Sequence, residues 1–72
     1  MRITYDKSVD AAYIFLEEGP REIKETYCCD PVEVGGQINL DFDTSGRLIG
    51  IEVLDASKKL PLDLLKKAEV IG

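Results

Sequence analysis

Ile38, Leu40 and Phe42 alternate strictly with polar Asn39, Asp41 and Asp43, and an apolar run from Leu48 to Leu54 follows the break Thr44-Ser45-Gly46. Period-two alternation, a short polar break and a second β-branched run predict a β-hairpin. Gly46 closes the break because glycine most readily takes the positive φ of a tight turn. On the outgoing strand Ile49, Ile51 and Val53 form one face, and Leu48, Gly50, Glu52 and Leu54 the other. Upstream, Arg2 to Tyr5 reads as a strand and Asp6 to Asp10 as a turn whose side chains bond their own backbone. Ala11 to Leu16 is apolar on both sides, with Ala11, Tyr13 and Phe15 on one and Ala12, Ile14 and Leu16 on the other. Such a strand belongs at the centre of a sheet or under a second subunit. Glu17 to Pro20 breaks it, and Glu22 to Cys28 follows as a more polar strand near an edge, blunted by Lys24 and Glu25.

Asp30-Pro31 and Gly35-Gly36 mark Asp30 to Gly36 as a loop. From Leu60 the period changes. Leu60, Leu64, Ala68 and Ile71, flanked by Leu62 and Leu65, fall in one broad helical stripe, with Asp63, Lys66 and Lys67 largely opposite. Pro61 suits the first turn of that helix, and Asp55 or Ser57 could satisfy backbone donors just upstream. The expectation is a single α+β domain over residues 1–72. It has two layers: a mainly antiparallel sheet of about five strands (β-β-β-β-β-α) and a C-terminal helix packed on one face. The other face then needs cover, and a contiguous apolar patch on so small a protein is more often an interface than bare surface. A homodimer is expected, with Tyr13, Phe15, Leu48 and Leu54 as its interface residues.

Size sharpens that expectation. A chain of 72 residues buries only roughly 60% of its unfolded surface and gains from disulfides, a metal or self-association. The only cysteines, Cys28 and Cys29, are adjacent and point to opposite faces of a strand, so they cannot bridge each other in the ordinary way. Two free thiols fit a reducing compartment, and no segment resembles a signal peptide or a membrane span, so the expected setting is cytoplasmic, without membrane contact.

The net charge is −5 and unevenly spread. Residues 1–54 hold five basic and eleven acidic side chains, and residues 55–72 hold four and three. With no basic stripe and no aromatic stacking row, nucleic acid is not an expected partner. The acidic balance suits a small basic protein partner or a cation.

Asp41, Asp43, Ser45, Gly46 and Glu52 match the spacing of an EF-hand loop. That loop is held between helices. Here both flanks read as strands, which would spread the oxygens along a hairpin and leave Glu52 about 20 Å from the turn. Asp41, Asp43 and Glu52 are therefore only weak metal candidates. Glu52, in an apolar strand beside Gly50, is the leading acid–base candidate among Asp6, Asp10, Asp41, Asp43, Glu52 and Asp55. The chain has no histidine, which removes Ser–His and Cys–His pairs and the commonest zinc sites. No glycine-rich phosphate loop is present, no cofactor is expected, and an enzyme would need a site formed between subunits.

Tyr5-Asp6, Asp10-Ala11, Tyr13-Ile14-Phe15-Leu16, Asp41-Phe42-Asp43, Gly46, Leu48, Gly50-Ile51-Glu52, Leu54, Ala56-Ser57 and Leu60-Pro61 carry a resemblance. Together they resemble the small prokaryotic family known as domain of unknown function 2283. The resemblance implies a compact α+β domain without established biochemistry and supplies no catalytic residues. Arg21 to Gly36 is the least characteristic part, and Cys28-Cys29 departs from the family pattern. Some members of the family accompany small toxin-like proteins, which implies an antitoxin-type role beside a basic partner. The leading expectation is a non-catalytic interaction module acting as a homo-oligomer.

Overall fold

In a computed structural model, which describes residues 1–17, 19 and 22–72, six strands form one sheet among the described residues. They are β1 (Arg2–Asp6), β2 (Ala11–Phe15), β3 (Glu25–Cys28), β4 (Ile38–Phe42), β5 (Leu48–Leu54) and β6 (Glu69–Ile71). Their order is β3-β4-β5-β2-β1-β6. Every neighbouring pair is antiparallel except β1 and β6. Three short helices complete the α+β fold: α1 (Pro31–Val34), α2 (Ala56–Lys59) and α3 (Leu62–Lys66).

The hairpin forms where the alternation requires it. Asp43 N–H donates to the Arg47 carbonyl, Gly46 N–H donates back to the Asp43 carbonyl, and Gly46 sits at φ 79°. The doubly apolar β2 lies between β5 and β1, and polar β3 is an edge strand with all four residues exposed. The expected start of the third strand moves from Glu22 to Glu25. The break expected at Glu17 to Pro20 falls partly on residues 18 and 20, outside the described set.

Two expectations are corrected. The segment Asp30 to Gly36 is not a plain loop but a one-turn helix. Asp30 Oδ1 accepts from Val32 N at 2.9 Å, Pro31 takes the first helical position, and left-handed Gly35 ends the turn. The single helix expected from Leu60 onward is instead the short α3 followed by the strand β6, and a separate one-turn helix, α2, precedes Leu60. Leu60 is extended, at φ −113° and ψ 149°, because a residue before proline is driven out of the helical region. After Lys67 the chain leaves the helix, and Val70 and Ile71 pair with Tyr5 and Asp6 of β1. β-Branched residues beside an open strand edge gain ladder hydrogen bonds there that one more helical turn would not supply.

The molecule is a slab, 32 × 31 × 19 Å, with a radius of gyration of 12.2 Å against about 11 Å expected for a rounder domain of this length. Its accessible surface of 4918 Å² likewise exceeds the ~4450 Å² typical of this mass. Ala12, Ala56 and Leu65 are buried together, with Tyr5 and Leu60 packed against them; Ile49 and Val53 are the other buried apolar residues.

Candidate interaction surfaces

Cross-strand partners share a face, so the register sorts the side chains into rows. On the face carrying α2 and α3, one row runs Val70, Tyr5, Ala12, Val53, Ile38 from β6 to β4. The helix residues Ala56 and Leu65 gather at the Tyr5–Ala12 end of this row. The next row runs Ile3, Ile14, Ile51, Leu40, Tyr27 across five strands. None of these five is buried: the first four are half-buried, and Tyr27 is 56% exposed.

The reverse face has a different chemistry. Its central row reads Thr4, Tyr13, Glu52, Asn39, Cys28. Beside it runs Arg2, Phe15, Gly50, Asp41, Thr26. Asp41 is only 7% exposed, and two hydroxyls satisfy it: Thr26 Oγ1 donates to Oδ1 at 2.6 Å and the Tyr13 hydroxyl donates to Oδ2. Tyr13 and Asp41 lie two strands apart, roughly 9–10 Å. The phenol therefore crosses over β5, where Gly50, opposite Asp41, has no side chain to obstruct it. Asn39 Nδ2 donates to Glu52 Oε1 at 2.8 Å, while the buried Asn39 Oδ1 has no donor. At the rim the Arg2 guanidinium lies 4.8 Å from the Phe15 ring centroid and bonds Glu69 at 3.0 Å.

The expected interface set divides between these faces. Tyr13, Phe15 and Leu54 are on the polar face, but a register shift between Asp41 and Phe42 brings Leu48 opposite Phe42. The bulge thus carries Leu48 out of the Gly50–Glu52–Leu54 row to the helix-bearing face, which period-two counting cannot show because one extra residue reverses it.

The weak metal candidates also separate. Asp41 and Glu52 are diagonal neighbours on the polar face, whereas Asp43 organises the hairpin turn. Asp43 Oδ1 accepts from Ser45 N and Arg47 N, each at 2.9 Å, and these contacts, with the Arg47 backbone bond foremost, hold its carboxyl below the usual range. Among the described residues no three His, Cys, Asp or Glu side chains gather as ligands round an ion would. Glu52 meets an amide, with no lysine or arginine paired to it among the described residues.

A further constellation joins segments remote in sequence. Asp10, at φ 53°, accepts from the Tyr5 hydroxyl at 2.6 Å, from Ser57 N at 3.0 Å and from Ser57 Oγ at 2.7 Å, and its carbonyl accepts from Ala56 N at 2.9 Å. Asp10 therefore caps α2 from the β1–β2 turn. Asp55, expected with Ser57 to serve the helix entered at Pro61, makes no side-chain cap bond, and α3 has no side-chain cap either. The Tyr5 and Ser57 hydroxyls hold the Asp10 carboxyl below its ordinary range, and the same bond raises the Tyr5 phenol. Nothing local announces a cap 47 residues away; only the aspartate and tyrosine themselves were visible.

No described helix is long and apolar enough to cross a membrane. The family described as "Protein of unknown function (DUF2283)" matches residues 2–57, a span that ends at Ser57, the last residue of the Asp10 constellation. No curated protein and no solved structure matches the chain.

Proposed function

The chain belongs to the DUF2283 family, and from that premise we propose that it is a non-catalytic interaction module that acts as a homodimer. The observation that carries this reading is the row Ile3, Ile14, Ile51, Leu40, Tyr27, apolar across five strands and left half-buried or exposed. Leu48, brought to the same face by the bulge, extends it. Burying such a surface stabilises by about 25 cal/mol per Å² removed from water. A slab face bounded by 32 × 31 Å can supply the ~800 Å² per partner of an ordinary stable interface. The flat shape and surplus surface fit a protomer whose second half of cover comes from its copy. The two-layer arrangement then belongs to the assembly: α2 and α3 cover one end of the face and the partner the rest.

Sedimentation velocity at micromolar concentration tests the reading. The wild type should sediment as a dimer and Tyr27→Glu and Ile51→Asp as monomers. Phe15→Asp, on the reverse face, should remain dimeric. Tyr27 is exposed, so its substitution separates association from folding. A monomeric wild type would overturn the reading.

A further inference from the structure

We propose that the polar face is a docking site for an arginine side chain of a basic protein partner, seated over Asp41, Glu52 and Asn39. The proposal is independent of the homodimer, which uses the opposite face.

The centre of the polar face has a surplus of hydrogen-bond acceptors. Three donors there already bond within the face: the Tyr13 and Thr26 hydroxyls to Asp41, and one N–H of the Asn39 amide to Glu52. Two carboxylates remain with no cation paired to them among the described residues, and one of them, Asp41, is almost fully buried. Buried carboxylates are ordinarily matched by a positive group. Asn39, 8% exposed, directs its amide at Glu52 and keeps Oδ1 without any donor. An acceptor left in that state costs about 1–3 kcal/mol. Carboxylates and an orphaned carbonyl together call for a ligand that only donates.

Spacing decides which donor. Asp41 and Glu52 are diagonal across β4 and β5, a separation of roughly 7–8 Å. A divalent cation ordinarily gathers several oxygen ligands, and no three His, Cys, Asp or Glu side chains converge among the described residues. A guanidinium, planar and forked, presents its donors over such a width, whereas a lysine ammonium is a compact point charge. The same face already holds one guanidinium, Arg2 stacked on Phe15. The excess of acidic over basic side chains in residues 1–54 favours approach of a basic partner and disfavours an acidic one.

The test is titration of ¹⁵N-labelled protein with a short arginine-containing peptide and with its lysine counterpart of equal charge. Amide shifts should centre on Asn39, Asp41 and Glu52, and the lysine peptide should bind more weakly. Glu52→Gln, of nearly the same shape, should weaken the arginine peptide roughly tenfold while leaving the sedimentation coefficient unchanged; Asp41→Asn serves as the second variant. Equal affinity for both peptides, shifts elsewhere or none, or undiminished binding by both variants would overturn the proposal. Loss of self-association in Glu52→Gln would also overturn it, by assigning the occupant to a second copy. A monomeric wild type that still selects arginine would remove the homodimer and leave this site standing.

Discussion

One residue's shift along each strand separates Ile3, Ile14, Ile51, Leu40, Tyr27 from Thr4, Tyr13, Glu52, Asn39, Cys28, and the two rows back onto each other through the same five strands. On the first, stabilisation follows area: the side chains are interchangeable in chemistry and limited by how much of each is covered. On the second, it follows matching, since each buried polar atom is either bonded or left at a cost. Substitutions on the two faces should therefore fail in different ways.

The largest effect is expected at an apolar side chain that is already buried within the protomer. Ile49 is buried at 2% exposure, so Ile49→Ala should cost about 2–5 kcal/mol in urea denaturation. A loss well under ~1 kcal/mol would mean that this position is not core. On the polar face, Asp41→Ala should cost about 1–3 kcal/mol by stranding the Tyr13 and Thr26 hydroxyls. A double-mutant cycle with Tyr13→Phe should show coupling, and strict additivity would refute the network. Gly50→Val should fall in a similar or slightly smaller range, about 1–3 kcal/mol, by placing a side chain under the crossing phenol. If Gly50→Val leaves the Tyr13 ring resonances unchanged, the phenol does not cross there.

The smallest effect is on pH dependence and belongs to neither face but to the rims. The folded-state pKa values of Asp10 and Asp43 are depressed. Their contribution is complete above the ordinary aspartate value of about 3.9 and is lost as pH falls through the lower folded values. Asp10→Asn and Asp43→Asn should each flatten the acid limb of stability measured between about pH 5 and 2. An acid limb as steep as that of the wild type in both variants would show that other carboxylates govern it. Tyr5 works in the opposite sense: its raised value means a contribution present below about pH 10 and lost as pH rises through the folded value.

The hairpin about Gly46, the central place of β2 and the edge position of β3 were all legible in the chain, because period-two alternation, doubly apolar runs and polar strands are local consequences of how a sheet is covered. The family resemblance was legible too, over residues 2–57. What the chain alone could not decide were the outcomes of competition between distant segments. Leu48 changed face through one bulge, and Val70 and Ile71 joined the open edge of β1 in place of a helix. Asp10 came from the β1–β2 turn to cap α2, and among the described residues it is Asn39 that meets Glu52. Local periodicity reports which residues prefer to be covered; which backbone groups and carboxylates meet depends on register and chain reversal, and these exist only once the strands are assembled.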